Sequence, residues 1–177
     1  MTIQNSVDSP FKSTFERELP LILEKIPVNY VLQYGFSNRD EFSKAVAGKP
    51  FNYFSYNGSV LEKSSTVIIP VVVGNEFRAL ASLDYIKDTL HIVDFGANGL
   101  AREIQSVQSD NSSLSFVGLL RIYSISIDFA IMAQDQEYLF FPLSSAKAYL
   151  QSKGITKIDE YYNHNQVLKL INEIRNE

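Results

Sequence analysis

A chain of 177 residues, 45% hydrophobic and 20% charged, has the composition of an ordinary folded domain and lies outside the disordered regime. Its 16 Lys and Arg against 20 Asp and Glu leave a net charge of −4, which excludes a broad positive field for gathering phosphates, so no nucleic-acid partner is expected. The absence of cysteine excludes disulfides, thiolate metal sites and cysteine nucleophiles together.

Residues 1–12 read as a flexible N-terminal arm and 13–177 as a single α+β domain. The opening MTIQNSVDSPFKSTFE has no basic start ahead of an apolar stretch, so no secretory signal is expected and a cytoplasmic setting is the default. Ser13 or Thr14 then caps a helix with Phe15, Leu19, Ile22, Leu23 and Ile26 on one face; Pro20 inside it predicts a kink near Leu19 or two short helices. Pro27 opens another helical piece, with Tyr30, Val31 and Tyr34 facing inward and Gly35 ending it. A third follows Ser37 or Asn38, carries Phe42, Ala45 and Val46 as its apolar stripe, and closes at Gly48 and Pro50.

Phe51 to Tyr56 reads as a strand ending at Asn57-Gly58, with Phe51 and Tyr53 to one side and Phe54 and Tyr56 to the other. A second short strand contains Val60 and Leu61. From Thr66 to Phe95, three apolar runs are divided at Gly74-Asn75 and Lys87-Asp88, the signature of an antiparallel meander. Counting outward from those turns sets Tyr85 against Leu90, Asp84 against His91, Leu83 against Ile92 and Ala81 against Asp94. The same count sets Val72 against Phe77, Pro70 against Ala79 and Ile68 against Ala81. One face is then apolar. The second, with Ile69, Val71, Leu80, Val93 and Phe95 among Arg78, Ser82, Asp84 and His91, is half polar. Pro70 predicts an edge or a bulge.

Gly96 to Gly99 leads into a helix with Leu100, Ile104 and Val107 on one side, followed by a loop over Ser109 to Ser113. Leu114 to Met132 reads as extended with an interruption near Gly118, and alternation from Tyr123 to Ile131 speaks for strand. Arg121 and Asp128 within this stretch argue against a membrane span. Another strand covers Glu137 to Phe141, and a helix runs from Ser144 or Ser145 to Gly154. Asn163 with Gln166 forms a capping box ahead of Val167, Leu168, Leu170, Ile171 and Ile174. The expected fold is therefore α+β: a curved antiparallel sheet of about five to seven strands, N-terminal helices, one inserted helix and C-terminal helices.

Catalytic signals are sparse. The two histidines, His91 and His164, show no metal-ligand spacing, no serine lies in a nucleophile elbow, and Gly96-x-x-Gly99 matches neither a Walker loop nor a dinucleotide fingerprint. No metal and no cofactor are indicated. Charges that interrupt apolar strands sit at an edge, in a pair or along a cavity, which makes Arg78, Asp84, His91, Arg121 and Asp128 the candidate ligand-binding residues. The functional expectation is a non-catalytic ligand-binding or protein-interaction domain using the second sheet face as a groove or dimer surface, its partner a second copy or a small molecule. The alternative is a small enzyme with a polar cavity on the sheet, built on Asp84 with His91 or on Arg121 with Asp128.

Overall fold

The computed structural model describes residues 10–175. In chain order they form helix α1 (Pro10–Glu24), 3₁₀ helices at Val28–Tyr34 and Arg39–Lys44, and strands β1 (Val46–Ala47), β2 (Phe51–Asn57), β3 (Val60–Val73), β4 (Glu76–Ile86) and β5 (Thr89–Gly96). Helix α2 (Asn98–Asp110) follows, then β6 (Ser115–Ile122), β7 (Ile127–Gln134), β8 (Glu137–Pro142), α3 (Ser144–Ser152) and α4 (His164–Arg175). The strands hydrogen-bond in the order β5-β4-β3-β2-β6-β7-β8, with β1 on β3, and β2 meets β6 in parallel. This is the α+β arrangement expected, with mostly antiparallel pairing and eight strands among the described residues once the two-residue β1 is counted. No helix among them is long and apolar enough to cross a membrane.

Two compact units emerge, a division that no composition shift marks. One contains the described residues through Pro50 with Thr66–Arg102; the other contains Phe51–Ser65 and the described residues from Glu103. Of the expected arm, residues 1–9 lie outside the described residues, and Pro10 already opens α1.

In the first unit, α1 places Phe15, Leu19 and Leu23 in a core with Val67, Ile69 and Val71 of β3 and Ala79, Ala81 and Leu83 of β4. The helix runs unbroken through Pro20 instead of dividing there. Pro20 removes one donor and frees the carbonyl of Glu16, but both residues are exposed, so water can satisfy that carbonyl. At Val28–Tyr34 the chain tightens to three residues per turn, which brings Val31 and Tyr34 to one side and leaves Tyr30, expected inside, exposed. Tyr34 stacks on Phe95 with centroids 5.8 Å apart. The next 3₁₀ helix starts as its sequence predicts, with the Asp40 amide donating to Asn38 Oδ1 at 2.9 Å. Val46, assigned above to its apolar stripe, instead begins β1 opposite Val72 and is exposed.

Near both meander turns the register is the one counted from the sequence: Val72 faces Phe77, Tyr85 faces Leu90, Asp84 faces His91 and Leu83 faces Ile92. Farther out, two bulges move it. A shift between Val71 and Val72 sets Pro70 opposite Leu80 and Ile69 opposite Ala81, and a shift at Ser82/Leu83 sets Ala81 opposite Phe95. The expected pairs Pro70–Ala79, Ile68–Ala81 and Ala81–Asp94 are thereby corrected. The cause is legible in Asp94: without a bulge its carboxylate would share the buried face with Ala81 and Leu83, and the extra residue turns it to solvent. Ile69, Val71 and Phe95 thus join the core side. The opposite side, expected as a groove or dimer surface, is itself buried at Ile68 and Leu80.

In the second unit, Phe54 and Tyr56 of β2 pack with Leu120, Ile122, Ile127, Phe129, Ile131, Phe140, Ala146, Val167 and Ile171. Phe51 and Tyr53 point the other way, Phe51 edge-on to Phe116 at 5.1 Å and Tyr53 beneath Arg121. The alternation from Tyr123 to Ile131 is not one strand: residues 123–126 form a turn, with Ser126 at φ 54°, between β6 and β7. That turn pairs Ile122 with Ile127 and Arg121 with Asp128. The interruption near Gly118 is a bulge within β6. The capping box of α4 is reciprocal, Asn163 N donating to Gln166 Oε1 at 2.8 Å and Gln166 N to Asn163 Oδ1 at 3.0 Å.

Candidate functional site

The five charged candidates occupy separate places. Arg78, on β4, lies between Glu41 at 2.7 Å and Glu76 at 2.6 Å. Glu41 also accepts the Ser37 amide at 2.8 Å, so Arg78 fastens the second 3₁₀ helix to the sheet. Asp84 and His91 are register partners, but their side chains bond elsewhere. Asp84 accepts from Thr66 Oγ1 at 2.7 Å and from the Tyr85 amide at 2.8 Å, whereas His91 Nδ1 lies 3.0 Å from Glu18 Oε1.

Glu18 escaped the sequence reading, although it lies three residues after Phe15, on the flank of the helix's apolar stripe. Its second oxygen accepts the Ile92 amide at 2.8 Å, a donor next to the β5 bulge. Burial raises the Glu18 carboxyl, but the Ile92 amide, Arg17 and His91 outweigh it and leave the pKa below its ordinary 4.5. A depressed folded pKa means that this stabilisation is complete above the unfolded carboxyl's pKa and is lost as pH falls through the folded value. We therefore expect Glu18→Ala to destabilise the protein by about 1–3 kcal/mol at neutral pH, with the gap from the unsubstituted protein narrowing in acid. Urea denaturation at pH 7 and pH 3.5 checks this; a gap that is constant or widens in acid contradicts the clamp.

Arg121 and Asp128 do come together. Nε and Nη2 of Arg121 donate to the two Asp128 oxygens at 2.7 and 2.8 Å, and the guanidinium lies 4.7 Å from the Tyr53 ring centroid. Ser145 Oγ accepts the Asp128 amide at 3.0 Å, tying β7 to the start of α3. Hydrogen bonding to Asp128 raises the Arg121 pKa above its already high value, against the opposing effect of burial.

Beside this pair is a cleft of about 310 Å³, lined by Ser55 and Tyr56 of β2, Arg121 and Ile122 of β6, Tyr123 and Ser124 of the turn, and Ile171 and Ile174 of α4. Three elements build it: β2 and β6 are bonded in parallel, and the capping box fixes where α4 begins and hence where its isoleucines fall. Tyr56 and His164 Nδ1 are 2.8 Å apart, and burial pushes the phenol up to about 12, so Tyr56 is neutral at physiological pH. The hydroxyls of Ser55, Tyr123 and Ser124 make no hydrogen bond to other described residues. The lining therefore combines isoleucine surface, tyrosines, hydroxyls and one internally compensated cation. Among the described lining residues there is no carboxylate or imidazole to move a proton.

The first unit has an apolar groove of about 190 Å³, lined by Ile22, Lys25, Ile26, Pro27, Tyr34 and Phe95. Nearby in the chain, Val28 is 70% exposed and Leu32 72%. Among the described residues no cluster of His, Asp and Glu is arranged to hold a metal ion. Comparison with protein-family models, with curated proteins and with solved structures finds no match to this chain.

Proposed function

We propose that this protein is a non-catalytic binding domain that receives a small molecule in the cleft between β2, the β6–β7 turn and α4. The observation that carries this reading is the lining itself. A hollow of about 310 Å³ falls within the size range of small-molecule sites, and a mostly apolar surface with a few polar groups is their usual make-up. Its lining groups are suited to holding and orienting a ligand; acid–base chemistry would need a group that titrates in the working range. The enzyme alternative loses support for the same reason. Asp84 and His91 are engaged by different partners, and Arg121 and Asp128 satisfy each other.

A thermal-shift screen against metabolites tests the proposal, since a ligand that prefers the folded state stabilises it by about 2.7 kcal/mol at one hundred times its Kd. We expect a stabilising compound whose effect is abolished by Ile174→Trp, which fills the cleft. A shift unchanged by that substitution, or no shift from any compound, overturns the proposal. The exposed Val28 and Leu32 favour a second reading, in which the first unit docks a protein or a second copy, because large apolar side chains concentrated on a surface mark association sites. Sedimentation equilibrium distinguishes it: association that Leu32→Glu abolishes supports this reading, and a monomer at all concentrations removes self-association.

A further inference from the structure

Resting on the reading of the cleft as a binding site, we infer that its ligand is uncharged: a molecule with an apolar body, one ring or its equivalent, carrying hydroxyl or carbonyl groups along one side. Charge balance is the starting point. Among the described residues Arg121 is the one formally charged member of the lining, and both Asp128 oxygens already accept from it at 2.7 and 2.8 Å. An anion entering the cleft must compete with a buried carboxylate in bidentate geometry, or bring a second negative charge near it without gaining a new cation. A cation meets the opposite obstacle. Among the described residues no carboxylate lines the cleft, Arg121 repels positive charge, and one face of the neighbouring Tyr53 ring is already occupied by the guanidinium.

A neutral ligand meets neither obstacle. Ile122, Ile171 and Ile174 supply apolar contact, while the hydroxyls of Ser55, Tyr123 and Ser124 can each donate or accept, matching alcohols, phenols and carbonyls alike. The volume sets the scale. A cavity of about 150 Å³ accommodates benzene. A cleft of about 310 Å³ therefore has room for a ring with a short substituent, on the order of ten to fifteen non-hydrogen atoms.

Three probes of one shape and different charge test the inference at pH 7: 3-phenylpropan-1-ol, 3-phenylpropanoate and 3-phenylpropylammonium, followed by NMR of protein labelled at its isoleucine methyls. We expect the alcohol to shift the Ile122, Ile171 and Ile174 methyls and to bind at least about tenfold more tightly than either ion. Ser124→Ala, in an exposed turn, should weaken the alcohol by about threefold to tenfold with the spectrum otherwise unchanged. If the carboxylate or the ammonium binds as tightly as the alcohol and shifts the same methyls, neutrality is wrong and the cleft remains a binding site. If no probe moves those methyls, the cleft reading fails and the inference fails with it.

Discussion

Gly35→Ala should destabilise the first unit by about 2–5 kcal/mol, a large loss for a single methyl group. Two independent effects combine. Gly35 closes the first 3₁₀ helix at φ 91°, in the left-handed region, where its amide reaches the carbonyls of Leu32 and Val31. A side chain there carries about 1–2 kcal/mol of backbone strain. The added Cβ would also overlap the Arg78 carbonyl oxygen and lie 2.8 Å from Asn98 Cβ and 3.0 Å from the Arg78 carbonyl carbon. Two of those three atoms are backbone, so no rotamer change relieves the clash, and overpacking of this kind adds about 1–3 kcal/mol. Gly74→Ala is the internal control. It shares the positive φ, at 63°, but a Cβ added there would meet nothing within 4 Å, so it should lose only the strain. Equilibrium urea denaturation of both variants separates the effects; equal losses would mean that the approach to β4 has no energetic weight.

Gly35 also shows where sequence reasoning succeeds and stops. A glycine after Val31 and Tyr34 marks the end of a helical piece, because the left-handed closure is a local requirement. Nothing local indicates that Arg78, 43 positions later, presses its carbonyl against that residue. The meander behaves similarly. Turn chemistry at Gly74-Asn75 and Lys87-Asp88 fixes the nearest pairs, and counting is reliable until a bulge inserts a residue. Asp94 on the counted core face was the warning, since a buried unpaired carboxylate is more costly than a local irregularity.

The candidate site was less legible. Arg121 and Asp128 stood out as charges among apolar residues, yet alternation running through Tyr123 to Ile131 concealed the turn that pairs them. The cleft depends on residues from Ser55 to Ile174, brought together by parallel pairing of β2 with β6 and by the docking of α4, neither of which leaves a local pattern. Glu18 was hidden for a simpler reason: a glutamate beside an apolar stripe looks like a solvent-facing neighbour until its partners on β5 are known.

A double-mutant cycle on Arg121 and Asp128 decides whether that pair is framework or working chemistry. Arg121→Met should be severe, about 3–5 kcal/mol, because it leaves the Asp128 carboxylate buried without its cation. Asp128 has a side chain only 8% exposed, whereas that of Arg121 is 31% exposed. Asp128→Leu should therefore lose less, since the freed guanidinium can turn toward water. The Ser145 bond to the Asp128 amide does not depend on the carboxylate and should survive the change. Combining both substitutions removes both charges, and the double variant should recover to within about 1–2 kcal/mol of the starting protein, a coupling of several kcal/mol by urea denaturation. Such recovery means that the pair serves to join β6 to β7 and that an apolar pair can replace it in the fold. Additive single losses would mean that each charge has an independent role, and the small enzyme built on these two residues would become the stronger reading.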